Sequence, residues 1–296
     1  EVGARVGPGG STLFGFDSLA GGKFDGAAAQ QPSRWSMTVG GNQLRPTVVH
    51  RKSKPSDLVR TGPWKFLAPM RHELFLVFDR PLPRGRACRL DSSGSLPPIS
   101  VTPGDNVRSE AIHVSHIGFR PDDPAKFAML GLWMGDGGGL KFAAGLPFRV
   151  DNLAGKSVFT GRATLAKAAT ATDEDGYNRN YSGSDVWQLD FASLSAPGTY
   201  RVVVPGVGCS APFKIGDDVW ARPFRASARG LFVQRSGIAL GPPYTPFRRP
   251  LSVRHLQGKA AAVYNSNTGI LDSGNGINAL GTDKDNFGNL VKGRTT

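Results

Sequence analysis

Short stretches in which apolar side chains recur at every second position predict β-strands along the first two thirds of the chain. In the stretch 186–204 (VWQLDFASLSAPGTYRVVV), Trp187, Leu189 and Phe191 alternate with the residues between them. Pro197-Gly198 is a turn signal, and residues 200–204 form a second run that fits a pleated surface. The stretch therefore predicts two paired strands of an antiparallel sandwich.

The same pattern predicts a β domain over residues 1–105. Its apolar run 74–78 is suited to a strand buried on both faces, and residues 95–106, which contain three prolines, predict an irregular connector. We expect further strands at 35–39, 47–49 and 87–90. We assign these residues to an N-terminal β-sandwich.

A second β-sandwich is predicted over residues 106–216. Its strands recur at intervals of about 8–12 residues with turns between them, the spacing typical of a β-sandwich. The predicted strands include 112–117, 126–133, 148–150 and 157–159. The glycines of 135–139 lack a following strand–helix phosphate loop, so we interpret them as a flexible hairpin tip.

The pattern changes at Asp217-Asp218, which can cap the N-terminus of a helix. Apolar residues then recur at helical spacing and predict a helix over 218–236 that includes Phe232, with Pro223 in its first turns. Residues 265–296 are rich in Asn and Gly and show little apolar periodicity. The fold class is therefore mainly β, with one helix and an irregular tail over 217–296.

Composition restricts the classes of protein and of partner that fit this fold. The 39 glycines and 22 prolines fit many turns between short strands, and no apolar run is long enough to predict a membrane span. The net charge of +13 is scattered, and its densest run, residues 51–54, is typical of a solvated face, so we expect no nucleic-acid partner. Cys88 and Cys209 are far apart in sequence, and we expect buried or idle thiols.

Few residues suggest a small-ligand site. Asp173 and Asp175 lie in a loop with three acidic residues in four positions, which is typical of a solvated turn; a structural Ca²⁺ held there is the alternative. The tryptophans can stack on sugars, but their spread along strands favours packing in the core or between domains for most of them. They are Trp35, Trp64, Trp133, Trp187 and Trp220.

Several segments in the same order resemble one family. Residues 111–121 (AIHVSHIGFRP) resemble the opening strand, and residues 210–215 the closing strand, of the immunoglobulin-like module that precedes the catalytic barrel of family-nine glycoside hydrolases. Asp190-Phe191, Leu194, Pro197-Gly198 and Tyr200 match the DF-x-x-L-x-x-PG-x-Y hairpin of that module. Residues 226–237 (ASARGLFVQRSG) resemble the first helix of the barrel.

The resemblance implies an (α/α)₆ barrel of which this chain supplies the first helix and a loop. The Asp-Ala-Gly-Asp motif and the late Glu that carry the family's inverting hydrolysis have no match among these residues, so we assign no catalytic residue. We therefore expect the remainder of the barrel, as a partner polypeptide or a missing segment, to carry the chemistry. The resemblance makes His255 a candidate to line the substrate cleft, and an exposed loop histidine is the alternative.

The function that the resemblance implies is the non-catalytic N-terminal portion of a secreted or periplasmic β-1,4-glucan hydrolase that requires no cofactor. A stand-alone β-sandwich protein for carbohydrate binding, structure or adhesion, without activity, is the alternative.

Overall fold

In this computed structural model, the described residues are 4–5, 18–19, 24–62, 65–94, 96–172, 177–178, 180–235 and 238–250. The chain divides into two compact units, Glu1–Trp220 and Ala221–Thr296. Antiparallel sheets dominate the first unit, which confirms the mainly β fold class. The division of the β-rich part into two domains at residue 105 stays a prediction.

Residues 1–105 contribute short strands and short helical turns. The helical turns are α1 (Gly26–Ala29) and a 3₁₀ turn at Pro32–Arg34. The strands are β1 (Ala4–Arg5), β2 (Ser18–Leu19), β3 (Trp35–Val39), β4 (Asn42–Leu44), β5 (Val48–Pro55), β6 (Val59–Gly62), β7 (Lys65–Leu67), β8 (Met70–Val77), β9 (Cys88–Ser92) and β10 (Ile99–Val101).

These strands form one four-stranded sheet in the order β10-β9-β3-β4 and the two-stranded ribbons β1–β2, β5–β8 and β6–β7. The period-two pattern of β3 places Trp35, Met37 and Val39 in the interior. Met37 and Val39 form a small buried cluster with Cys88 of the neighbouring strand β9. The ribbon β5–β8 forms one wall of the site described below.

Two predictions in this region are wrong. The apolar run 74–78 lies in β8, which is half-buried rather than buried on both faces, because β8 pairs with β5 alone among the described strands. The segment 95–106 is not wholly irregular, since Ile99–Val101 forms the edge strand β10 against β9. The alternation of Ile99, Ser100 and Val101 was too short to predict a strand among the prolines.

Residues 107–216 form the larger sandwich. Its short 3₁₀ turn is Gly135–Gly137. Its strands are β11 (Ile112–Val114), β12 (Phe127–Leu130), β13 (Pro147–Asn152), β14 (Ser157–Arg162), β15 (Thr164–Lys167), β16 (Val186–Asp190), β17 (Gly198–Val204), β18 (Gly208–Cys209) and β19 (Phe213–Ile215). One sheet has the order β11-β12-β16-β15, and the other has the order β14-β13-β17-β18 with β19 also paired to β17. A continuous buried cluster that includes Leu130, Leu189, Val150 and Val202 joins residues of both sheets.

The predicted pairing of the stretch 186–204 is wrong, although both strands exist. β16 pairs with β12 and β15, whereas β17 pairs with β13, β18 and β19, so the connection 191–197 passes from one sheet to the other. Phe191 and Leu194 of this connection are buried in the shared core. Apolar anchors in the connection, rather than a tight hairpin turn, therefore bring the chain across the sandwich.

One hydrogen bond and one steric contact explain the Pro-Gly-x-Tyr sequence at the start of β17. The Tyr200 hydroxyl donates to the Ala196 carbonyl oxygen at 2.9 Å, a bond of the type that closes corners in immunoglobulin-like domains. A Cβ on Gly198 would lie 2.7 Å from the Tyr200 hydroxyl oxygen, so a side chain there would displace the ring. The motif thus encodes a packed corner.

The Ile-Gly-Phe sequence at residues 117–119 is similarly constrained. Gly118 has a φ of +94°, and a Cβ there would lie 2.2 Å from the Lys214 carbonyl oxygen. This close approach lets the Phe119 N–H donate to the same carbonyl at 2.9 Å. Phe119 is buried against Phe191 and Phe213, so glycine at 118 permits the backbone approach that seats an aromatic residue in the core.

In the second unit, α2 (Ala221–Gln234) confirms the predicted helix and includes Pro223 in its first turn and Phe232 near its end. The Phe232 ring contacts the Tyr244 ring at a centroid distance of 5.8 Å. The described residues contain no helix that is both long and apolar enough to cross a membrane. The predicted tail 265–296 lies outside the described residues.

Cys88 and Cys209 are free and buried, as expected. Burial raises the pKa of the Cys209 thiol, which favours its neutral form.

Candidate functional site

A cleft of about 450 Å³ lies between the ribbon β5–β8 and the larger sandwich. Lys52, Lys54, Arg71 and Glu73 line it from the ribbon. The side chains facing them come from the sandwich and its leading segment: Arg108, Glu110, His113 and Trp133. The cleft therefore combines several charged groups with an aromatic ring.

Strand register places the charged residues of the ribbon on one face. Lys52 lies directly opposite Glu73, and Lys54 lies directly opposite Arg71. Alternate residues of a strand share a face, so all four side chains point to the same side, while the intervening Ser53 and His72 point to the other. The Ser53 hydroxyl and His72 Nδ1 are 2.7 Å apart on that other side.

Glu73 is the centre of the charges on the ribbon. It forms ion pairs with Lys52, with Lys54 Nζ at 3.4 Å and with Arg71 Nε at 3.2 Å. The hydrogen bond from Lys52 holds the pKa of the Glu73 carboxyl below its ordinary value, so the group is ionised at neutral pH. One carboxylate faces three cations here, and positive charge is left in excess.

Trp133 carries an exposed ring, and hydrogen bonds hold the backbone on both sides of it. Its side chain is half exposed, at 46%. Residues on either side of the ring are tied together, since Trp133 forms an antiparallel bridge with Gly139 and the Leu140 N–H donates to the Leu132 carbonyl at 2.8 Å. The indole also lies against Gly183, where an added Cβ would come within 3.2 Å of its Cδ1 atom.

Asn180 organises the loop that carries Gly183. Its Oδ1 accepts from the Ser182 N–H at 3.0 Å and from the Gly183 N–H at 3.1 Å, and its Nδ2 donates to the Ala171 carbonyl at 2.7 Å. These bonds fix the glycine surface beneath the indole, so Trp133 presents a preformed platform.

Asp136 joins the two walls of the cleft. It lies in the 3₁₀ turn 135–137 of the sandwich and accepts hydrogen bonds from the Arg51 N–H at 2.9 Å and from Gln30 Nε2 at 2.6 Å. His50 Nδ1 lies 3.5 Å from its Oδ1. The backbone bond from Arg51 holds the pKa of Asp136 below its ordinary value.

The glycines of this turn are required by the close approach. A Cβ on Gly135 would lie 2.1 Å from the Arg51 carbonyl oxygen, and one on Gly137 would lie 2.5 Å from the His50 ring. Residues 135–139 form the tip of a hairpin closed by the Trp133–Gly139 bridge, as predicted, but this tip is docked against β5 and does not project freely.

The structure does not describe the residues that the sequence predicts as sites. Asp173, Asp175 and His255 lie outside the described residues, so their roles stay predictions. Within the described ranges, no group of three His, Cys, Asp or Glu side chains is arranged to hold a metal ion. Sequence reasoning missed the cleft, although residues 51–54 had stood out as the densest basic run.

The expectation for the tryptophans is met only in part. Trp35 and Trp187 are buried in the cores, whereas Trp133 and Trp220 are exposed. Trp64 lies outside the described residues. Trp133 therefore differs from a tryptophan that only packs in a core, because it is exposed beside charged groups.

Comparison with known proteins identifies the sandwich. Residues 107–209 match the family model of the cellulase N-terminal ig-like domain. Endoglucanase D of Acetivibrio thermocellus is 33% identical over 90 residues, which cover 30% of this chain and 13% of that protein. The chain therefore spans a small part of the relative that it matches, and the resemblance to the N-terminal part of a family-nine glycoside hydrolase is confirmed.

Solved structures give a weaker likeness. A metagenome-derived glycoside hydrolase family 9 endoglucanase is 27% identical, with 47% of this chain and 24% of that chain covered and a TM-score of 0.37. The family 9 endoglucanase J30 is 29% identical, with 49% and 22% covered and a TM-score of 0.36. A GH9 protein of Bacteroides ovatus is 21% identical, with 54% and 25% covered and a TM-score of 0.39.

Proposed function

We propose that this chain is the non-catalytic N-terminal portion of a family-nine β-glycan hydrolase and that it braces the catalytic barrel. The observation that carries the proposal is the cellulase-type immunoglobulin-like domain at residues 107–209, which is followed in sequence by the amphipathic helix α2. Bracing means burial of apolar surface between the module and the barrel, with no chemical step in the module.

Helix α2 has the surface that such packing needs. Phe224 and Leu231 are two turns apart on one side of the helix and are 72% and 74% exposed. No residue of the helix is buried. Large apolar side chains on one helix face normally pack against another element, and the proposal assigns that element to neighbouring barrel helices outside these 296 residues.

The reaction that we propose for the whole enzyme is inverting hydrolysis of β-1,4-glycosidic bonds. Inversion uses two carboxyl groups roughly 6.5–9.5 Å apart with a water between them. We assign both groups to the barrel outside these residues, with His255 lining the substrate cleft. A cellulose-like glucan is the proposed substrate, amino-sugar oligomers and mixed-linkage glucans are alternatives, and the proposed location is extracellular or periplasmic.

Native material tests this proposal. We expect the intact mass to exceed that of this chain, or a second polypeptide to copurify, and we expect the complete assembly to cleave cellodextrins. A homogeneous 296-residue species without activity would instead support the stand-alone carbohydrate-binding or adhesion protein. Cellodextrin cleavage by this chain alone would overturn the non-catalytic assignment.

Substitutions on α2 test the bracing role directly. Phe224→Ser with Leu231→Ser should lower the melting temperature and activity of the complete enzyme and leave the melting of the isolated chain unchanged. Leu58→Ser is the matched control, because Leu58 is a comparably exposed apolar residue outside the helix. Equal effects of the helix and control variants on the complete enzyme would contradict bracing through α2.

A structural calcium ion at Asp173 and Asp175 is a further proposal from the sequence. Calcium chloride should raise the melting temperature of the wild-type chain relative to EDTA, and Asp173→Asn with Asp175→Asn should remove the difference. An unchanged melting temperature would support the solvated turn.

A further inference from the structure

The cleft between β5–β8 and the sandwich has features that bracing does not explain. The cations lining it are Lys52, Lys54, Arg71 and Arg108, and its carboxylates are Glu73 and Glu110. With His113 neutral, these groups leave a net charge of +2. An exposed, braced tryptophan forms part of the same surface.

The register of the ribbon gathers more cations than the carboxylate beside them can neutralise. Lys54 and Arg71 are direct cross-strand partners, and like charges in that position destabilise a sheet. Glu73 forms an ion pair with each of them and with Lys52, so three cations share one carboxylate, and the Lys54 and Arg71 side chains are more than half exposed at 54% and 56%. A second anion between Lys54 and Arg71 would reduce the remaining repulsion.

Both cations also keep donors for a ligand. Arginine carries five N–H donors and lysine carries three, and Glu73 engages only part of this set. The planar guanidinium of Arg71 matches a carboxylate, which it can bind with two parallel hydrogen bonds. The polar wall of the cleft therefore favours a carboxylate-bearing ligand.

The aromatic wall specifies the rest of the ligand. Trp133 is one of the residues that line the cleft, its side chain is 46% exposed, and its indole lies against Gly183. An exposed indole offers a flat apolar surface for the C–H face of a pyranose ring, and its fixed backbone reduces the entropy lost on binding. The cleft volume of about 450 Å³ lies in the range of small-ligand sites.

We propose that this cleft binds an acidic saccharide, with a uronic acid carboxylate held by Lys54 and Arg71 and a pyranose ring against Trp133. A neutral glucan would leave the excess positive charge of this surface uncompensated. A nucleic acid duplex is disfavoured because Glu73 and Glu110 line the same surface. This recognition goes beyond the proposed function and does not depend on the barrel.

Titration of the 296-residue protein with trigalacturonate, cellotriose and inorganic sulfate tests the proposal by calorimetry at low salt. We expect trigalacturonate to bind at least about tenfold more tightly than either cellotriose or sulfate, because cellotriose lacks the carboxylate and sulfate lacks the pyranose ring. Comparable affinity for cellotriose or for a DNA duplex, or the absence of trigalacturonate binding, would overturn it.

Variants locate the site. Lys54→Gln with Arg71→Gln, and separately Trp133→Ala, should each weaken trigalacturonate binding about tenfold or more. Lys156→Gln and Trp220→Ala are matched controls at exposed positions that do not line the cleft, and they should leave binding unchanged. Unchanged binding in the cleft variants, with melting curves that show intact folding, would place the saccharide elsewhere and refute the proposal.

Discussion

The Asp136 carboxylate accepts a hydrogen bond from the backbone N–H of Arg51 across 85 positions of sequence, at 2.9 Å. Removal of this acceptor by Asp136→Ala should let the Arg51 amide exchange with solvent faster, because the bond joins the 3₁₀ turn to β5. Hydrogen exchange measured by NMR checks this. Asp79→Ala, at an exposed carboxylate whose recorded ion pair is with the adjacent Arg80, is the control and should leave that amide unchanged.

Acidification should open the same contact. The pKa of Asp136 is held below its ordinary value by the Arg51 N–H, so the contact is fully stabilised above the unfolded-state pKa of about 3.9 and weakens as the pH falls through the lower folded-state pKa. The stabilisation is therefore present at neutral pH and lost on the acid side. Exchange at Arg51, corrected for the intrinsic pH dependence, should rise below about pH 4 in the wild type and show no such step in Asp136→Ala. A step at neutral pH would contradict this assignment.

A second carboxylate, Asp105, connects groups from both β regions. It forms ion pairs with Arg84 and, at 3.2 Å, with Arg149, and accepts from the Gly206 N–H at 3.4 Å. Burial acts to raise the pKa of Asp105, but the hydrogen bonds from Arg84, Gly206 and Arg149 outweigh it and hold the pKa below its ordinary value.

Asp105→Asn should therefore lower the free energy of unfolding by about 2 kcal/mol at neutral pH, because Arg149 is left half-buried without one of its anionic partners. Urea unfolding at pH 7 measures the change. The difference from wild type should shrink as the pH falls through the folded-state pKa of Asp105, since both proteins are then neutral at this position. A difference that is independent of pH would point to packing instead of charge.

The sequence predicted the strands of the sandwich better than their partners. Both β16 and β17 carry clear alternation, but nothing in the stretch 186–204 indicates that its strands belong to opposite sheets. That choice depends on burial of Phe191 and Leu194 between layers. In the same way, the run 74–78 identified β8 but could not show that β8 pairs with one strand only in the described part of the chain.

The cleft could not be predicted because its walls are distant in sequence. From the sequence alone, the basic run 51–54 is typical of a solvated face. Only the structure shows that Trp133 lines the same cleft. The glycines of 135–139 predict a flexible tip from sequence alone, whereas in the structure Gly135 and Gly137 permit close approach of the turn to Arg51 and His50. Patterns within one segment report its own conformation, and the site arises from contacts between segments.

Lys126 offers a test of a buried polar contact in the sandwich. Its side chain is buried, and its Nζ donates to the Pro121 carbonyl at 3.0 Å and to the Asp123 carbonyl at 2.5 Å. These bonds close the loop before β12. Lys126→Met keeps the aliphatic length but leaves two carbonyl oxygens without the donor, so we expect a loss of about 2 kcal/mol in urea unfolding. Lys156→Met is the exposed control, and an equal change in both variants would contradict the role assigned to Lys126.

The corner at Tyr200 provides the most local prediction. Tyr200→Phe removes only the hydroxyl that donates to the Ala196 carbonyl, so it should lower the free energy of unfolding by about 1 kcal/mol. Gly198→Ala should cost more, because its Cβ would lie 2.7 Å from the Tyr200 hydroxyl oxygen and displace the buried ring. The Cβ would also lie 2.8 Å from the ring carbon Cζ, so displacement of the ring already disrupts the hydrogen bond of the hydroxyl, and the double variant should be destabilised by less than the sum of the two single changes. Thermal and urea unfolding of the four proteins measure this coupling, and strict additivity would show that the alanine leaves the hydrogen bond of the Tyr200 hydroxyl intact.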